Sequence, residues 1–73
     1  MRTYKIVYAK NSIISCTTVE ESVMLNGLSY YEHENGQLIF AIVKAENEKE
    51  AARLGNNLIK EVSEKVWGTE YIL

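Results

Sequence analysis

Seventy-three residues with eight Lys or Arg against ten acidic residues, all of them Glu, carry a formal charge of −2 and a pI near 5.3. That balance argues against a general affinity for nucleic acid and leaves only a local basic stripe open to it. A chain this short makes one domain, residues 1–73, and buries only about 60% of its unfolded surface, so its core is marginal unless a partner adds to it. A single cysteine, no Asp and no Pro exclude an intrachain disulfide, a CxxC zinc site and a Ser-His-Asp triad.

Met1 to Lys5 runs straight into an alternating segment rather than an apolar leader, and no apolar run approaches membrane-spanning length. A cytoplasmic protein without a membrane partner is the expectation. Thr3 to Ala9 alternates, with Tyr4, Ile6 and Tyr8 on one face and Lys5, Val7 and Ala9 on the other, which is the period of a half-buried strand. Lys10-Asn11-Ser12 reads as a three-residue hairpin loop, because this register sets Tyr8 against Ile14, Ile6 against Cys16 and Tyr4 against Thr18 and keeps one face apolar. The second strand is then Ile13 to Val19. Cys16 reads as a small core residue rather than a nucleophile.

Residues 20–27 fit a loop, one helical turn or a short strand, with Val23-Met-Leu25 the apolar part. Leu28 to Glu34 is a third strand, closed by Asn35-Gly36, whose residues accept the positive φ angles of a type I′ turn. It leads into Leu38 to Val43, six consecutive apolar residues that read as the central strand, covered on both faces. A two-residue loop sets Tyr31 opposite Phe40, His33 opposite Leu38 and Ser29 opposite Ile42. Tyr30 with Ala41, Glu32 with Ile39 and Leu28 with Val43 then share the other face.

Asn47 caps a helix, its side chain positioned to accept from the backbone of Glu50. Ala51, Leu54, Gly55, Leu58, Ile59, Val62 and Val66 form one stripe, with Arg53, Asn56, Asn57, Lys60 and Glu64 opposite. Gly55 costs about 1 kcal/mol relative to Ala in a helix interior, so its place in the apolar stripe predicts a close approach to the sheet. Gly68 reads as the helix stop, and Thr69 to Leu73 as a candidate edge strand. The fold class expected is α+β: an antiparallel β-meander of three to five strands with one amphipathic C-terminal helix on one face. That order is similar to small antitoxins with a partial ribonuclease-H shape, on the strand-cap-helix junction Val43 to Ala52, a junction that capping chemistry alone also explains.

Glu32-His33-Glu34 is the one cluster suggestive of acid/base or metal chemistry, but alternation turns His33 away from both carboxylates, as polar residues flanking an exposed hairpin tip. Neither a phosphate-binding glycine loop nor HExxH occurs. No catalytic residue, metal or cofactor is expected, and the protein is read as a non-enzyme. Lys49, Arg53 and Lys60 on the outer helix face form a short stripe suited to phosphates, the alternative of a nucleic-acid-binding accessory protein. The tyrosines could stack bases but lack a basic surround.

With Tyr31, Leu38, Phe40 and Ile42 assigned to the helix together with Tyr4, Ile6 and Tyr8, the opposite face keeps Leu28, Tyr30, Ile39, Ala41, Val43 and Val7. Trp67 would project to the solvent side if the helix ran through it; either the helix ends at Val66 and the ring folds back under the C-terminal tail, or the ring is an exposed anchor of the kind enriched at binding hot spots. The leading expectation is therefore a protein-interaction module, a homodimer or the partner of another protein, that uses Leu28, Tyr30, Ile39, Ala41, Val43 and Trp67.

Overall fold

The apolar run Leu38 to Val43 becomes β4 (Gln37–Ala45), the middle strand of a five-stranded sheet in a computed structural model that describes residues 1–20, 28–62 and 67–72, the last stretch through its backbone. Around it lie β1 (Arg2–Ala9), β2 (Ser12–Val19), β3 (Ser29–Glu34) and β5 (Trp67–Ile72), with α1 (Glu48–Val62) between β4 and β5 in the chain. The strand order is β2-β1-β4-β3-β5, and every neighbouring pair is antiparallel. The α+β meander is thus assembled as two hairpins joined through β1 and β4, with the helix packed on one face. Residues 21–27, including the apolar stretch 23–25, lie outside the described residues.

Both hairpins turn on two residues with positive φ: Lys10 (53°) and Asn11 (57°) in the first, Asn35 (52°) and Gly36 (76°) in the second. Turns of this hand match the right-handed twist of the strands they join. The first hairpin therefore does not use the three-residue loop expected. Ala9 faces Ser12 and Tyr8 faces Ile13, after which the register slips between Val7 and Tyr8, so that Val7 faces Ser15, Ile6 faces Cys16 and Tyr4 faces Thr18. Ile14 is the extra residue of a β-bulge. The bulge does the work assigned to a longer loop: it keeps Tyr4, Ile6 and Tyr8 on one face while the turn stays tight.

The second hairpin contains the same device. His33 faces Leu38, but the register slips between Glu32 and His33, and Glu32 then faces Phe40, Tyr31 faces Ala41 and Tyr30 faces Ile42. Ile39 is the bulged residue. The sequence-derived faces of β4 are corrected accordingly. Leu38, Ala41, Val43 and Ala45 lie under the helix with Tyr4, Ile6, Tyr8 and Tyr31, whereas Phe40 and Ile42 lie on the opposite side.

The helix begins where its cap dictates. The Glu50 backbone N–H donates to Asn47 Oδ1 at 2.9 Å, and the Ala51 N–H donates to the Asn47 carbonyl at 3.0 Å. Its buried residues are Ala51, Gly55, Leu58 and Val62, with Leu54 and Ile59 packed at the margin. Gly55 meets the sheet as closely as its place in the stripe predicts: an added Cβ would lie 2.8 Å from Tyr8 Oη, 2.9 Å from Ile6 Cδ1 and 3.2 Å from Ile13 Cδ1. The Tyr8 hydroxyl donates to the Gly55 carbonyl at 2.8 Å and fixes the helix to β1 through a buried hydrogen bond.

Gly68 lies within β5 facing His33, so it does not serve as a helix stop, and the expected stripe position Val66 is outside the described residues. The final strand exists and starts two residues earlier than expected, at Trp67, pairing with β3.

Candidate interaction surface

Opposite the helix, β1 contributes Thr3, Lys5 and Val7. Val7 sits between Ser15 of β2 and Phe40 of β4; Lys5 sits between Thr17 and Ile42. Tyr30 and Phe40 meet edge to face, with centroids 5.9 Å apart and planes at 80°, and Lys5 Nζ lies 5.2 Å from the centre of the Phe40 ring. Such an ammonium over a half-buried ring contributes about 0.5–1 kcal/mol and orients the lysine stem along the sheet.

This face is not uniformly open. Ile42 is 2% exposed and Thr3 5%, so the part around them is already closed to solvent. The turn end is different. Each bulge leaves an isoleucine out of the core: Ile14, on β2, is 64% exposed and Ile39, on β4, is 45% exposed, each one residue from the position, Ser15 or Phe40, that pairs with half-buried Val7.

Asn11 holds this end in shape. Its Oδ1 accepts from the Leu38 backbone N–H at 2.9 Å and its Nδ2 donates to the Gly36 carbonyl at 3.0 Å, which ties one hairpin turn to the other. The bridge satisfies backbone groups next to the bulge in β4, where β1–β4 pairing has run out at Val7 and Phe40.

The expected interface residues separate into three groups. Ile39 and Leu28, the latter 44% exposed, are accessible, and Tyr30 is half-buried beside Phe40. Ala41 and Val43 are 0% and 2% exposed beneath the helix, so the bulge at Ile39 removes them from any surface. Trp67 stands in β5 rather than in the helix, which removes the helical angle that turned it to solvent, and its side chain lies outside the described residues. Ile14, Phe40 and Lys5 are the surface residues that sequence reasoning missed. The signal available for the first was its doublet, Ile13-Ile14, paralleled by Leu38-Ile39: two adjacent apolar residues in an alternating strand mark a place where one can point inward and the other outward.

The remaining candidates fall elsewhere. Lys49, Arg53 and Lys60 are exposed on the outer face of α1, and a shallow groove there is lined by Asn47, Lys49, Glu50, Ala52, Arg53, Asn56 and Asn57. Glu48 and Glu61 are exposed on the same helix. His33 is 3% exposed, its ring 5.8 Å from that of Tyr31, so it is a core residue rather than part of an exposed tip. Glu34 is exposed and Glu32 half-buried, and among the described residues no three His, Cys, Asp or Glu side chains converge as a metal site.

Cys16 is packed at the margin of the core; burial, and then the carboxylate of Glu48, push its thiol above the usual range. Burial, and then Cys16, push the Tyr8 phenol well above its ordinary value. Both groups are thereby held in their neutral forms at physiological pH, the opposite of what activates a nucleophile.

Comparison with protein-family models, with curated proteins and with solved structures gave no match for this chain. Among the described residues, no helix is long and apolar enough to cross a membrane.

Proposed function

We propose that this is a non-enzymatic, cytoplasmic protein-interaction module that self-associates through the turn end of the sheet face opposite the helix. The observation that supports the reading is the pair of bulges, which leave Ile14 and Ile39 exposed on the two strands that pair with β1 at Val7. A bulge could have been resolved with a polar residue outward. Here it is resolved twice with isoleucine. Contiguous exposed apolar surface rimmed by charge is characteristic of interaction sites, and Lys5 and Glu34 stand near this patch. A face that meets its own copy about a two-fold axis presents the same residues from both sides, so one mutation acts twice.

Ile39→Lys tests this. Loss of an isoleucine from a buried contact is worth about 2 kcal/mol, or about thirtyfold in affinity, for each copy. Light scattering after gel filtration should then report a dimer for the wild type and a monomer of unchanged circular dichroism for the variant. A wild type that elutes as a monomer at high micromolar concentration opposes the reading.

The alternative is a nucleic-acid-binding accessory protein. It is supported by the alignment of Lys49, Arg53 and Lys60 along the exposed side of α1, and its weakness is the interspersed Glu48, Glu50 and Glu61.

A further inference from the structure

One edge of this sheet lacks the protection that an exposed edge normally carries. Sheet edges are normally protected by charged residues, proline or short length, because their free N–H and C=O groups recruit other strands. Here the inner strands carry charge, Arg2 and Lys5 in β1, Lys44 in β4 and Glu32 and Glu34 in β3, and so does the other edge strand, β5, with Glu70. The edge strand β2, Ser12-Ile-Ile-Ser-Cys-Thr-Thr-Val19, has neither charge nor proline, and no residue in it is buried. It runs eight residues, about 26 Å at the usual rise per residue. The bulge at Ile14 disturbs only the turn-proximal end and leaves Ser15 to Val19 in regular register with β1. No described strand pairs with its outer side.

We infer that β2 is a pairing edge whose occupant is β2 of a second copy, joined antiparallel about a two-fold axis into a continuous ten-stranded sheet. An uncharged strand of this length fits a partner equally free of charge, and within this chain only β2 itself meets that condition. Set against itself, it opposes hydroxyl to hydroxyl, Ser15 to Thr17 of the second copy with the two-fold at Cys16 or Ser15 to its own copy with the two-fold at Ser15, a cross-strand pairing that stabilises antiparallel sheets. Directly opposed residues share a face, so the axis passes midway between one residue and its own copy. Overlap of the two strands is greatest with that residue at Ser15 or Cys16. In the second case the two Cys16 residues are direct neighbours, and in the first they are diagonal neighbours about 7–8 Å apart. This contact is separate from the face-to-face contact proposed above, since Cys16 packs on the helix side of the sheet and cannot reach its counterpart across the opposite face.

A short bis-maleimide added to the native protein at low micromolar concentration reads the edge directly, and sedimentation equilibrium on the same sample reads total association. The expected result is a covalent dimer through Cys16. Thr18→Lys, which puts a charge on the edge at an exposed position on the helix side, should reduce cross-linking at least tenfold, and Ile39→Lys should leave it unchanged. A cross-link that persists in Thr18→Lys overturns edge pairing. A wild type that sediments as a dimer without cross-linking overturns it too, while leaving the face contact standing. A wild type that neither cross-links nor associates overturns both.

Discussion

Gly55→Ala should destabilise the protein although it places a better helix former in the middle of α1. Helix propensity alone predicts a gain of about 1 kcal/mol. Against it stands the added methyl, 2.8 Å from Tyr8 Oη and 2.9 Å from Ile6 Cδ1, closer than carbon and oxygen atoms pack. Overpacking of this kind costs about 1–3 kcal/mol. Moving the Tyr8 hydroxyl aside also breaks its buried hydrogen bond to the Gly55 carbonyl, a further loss of about 0.5–1.5 kcal/mol. The balance is a net destabilisation of about 0.5–3.5 kcal/mol, and each kcal/mol corresponds to about 4–8 °C in Tm for a domain of this size.

Tyr8→Phe separates these contributions. Alone it loses the hydrogen bond, about 1 kcal/mol; combined with Gly55→Ala it also removes the nearest clash, so the double variant should be more stable than the sum of the single losses by about 0.5–1.5 kcal/mol. Urea unfolding of all four proteins followed by far-ultraviolet circular dichroism gives the cycle. A stabilised Gly55→Ala, or strict additivity, would refute the claim that the helix backbone rests on Tyr8 and Ile6.

Asn11→Ala removes both hydrogen bonds that join the hairpin turns and puts alanine at φ 57°; the expected loss is about 2–3 kcal/mol, with Asn11→Asp, which keeps the acceptor, losing less in the same unfolding assay. Because the fold raises the proton affinity of Cys16 and Tyr8, the native state holds more protons than the unfolded state at alkaline pH. Stability should be unaffected by these groups below pH about 8.5 and fall as pH rises beyond that through about 10 and above; urea midpoints across this range check it, and Tyr8→Phe should flatten the upper part. If the outer helix stripe binds nucleic acid, replacing Lys49, Arg53 and Lys60 together with Gln should abolish a gel shift whose affinity falls steeply with salt; a wild type that shifts neither RNA nor DNA at low salt removes that alternative.

The elements of the fold were legible because each has a local cause. Asn35-Gly36 announces its turn, Asn47 its helix, and Gly55 its contact with the sheet. The faces of β4 were less legible. Within six consecutive apolar residues the Leu38-Ile39 doublet does not stand out, and the single bulge at Ile39 moves Ala41 and Val43 from one side of the sheet to the other. The first hairpin shows the same limit from the other side: the apolar register was right at Ile6 and Tyr4, but its cause was a bulge rather than a longer loop. The joining of β1 to β4 could not be read from alternation either, since it depends on which edges meet after the hairpins form. The candidate surface inherits these differences: Ile39 and Leu28 are exposed and Tyr30 half-buried, whereas the places of Ile14 and Phe40 depend on the bulges.

The claim on which the functional account turns is that the bulged end of the open sheet face meets a second copy. Amide chemical shifts followed through a dilution series of the isotope-labelled wild type test it most directly, because they report both whether association occurs and where. The account predicts concentration-dependent shifts at Val7, Ile39 and Phe40, with the outer helix residues Lys49, Arg53 and Lys60 unmoved. A spectrum that stays constant from low to high micromolar concentration, or one whose changes fall only on the outer helix residues, would contradict it.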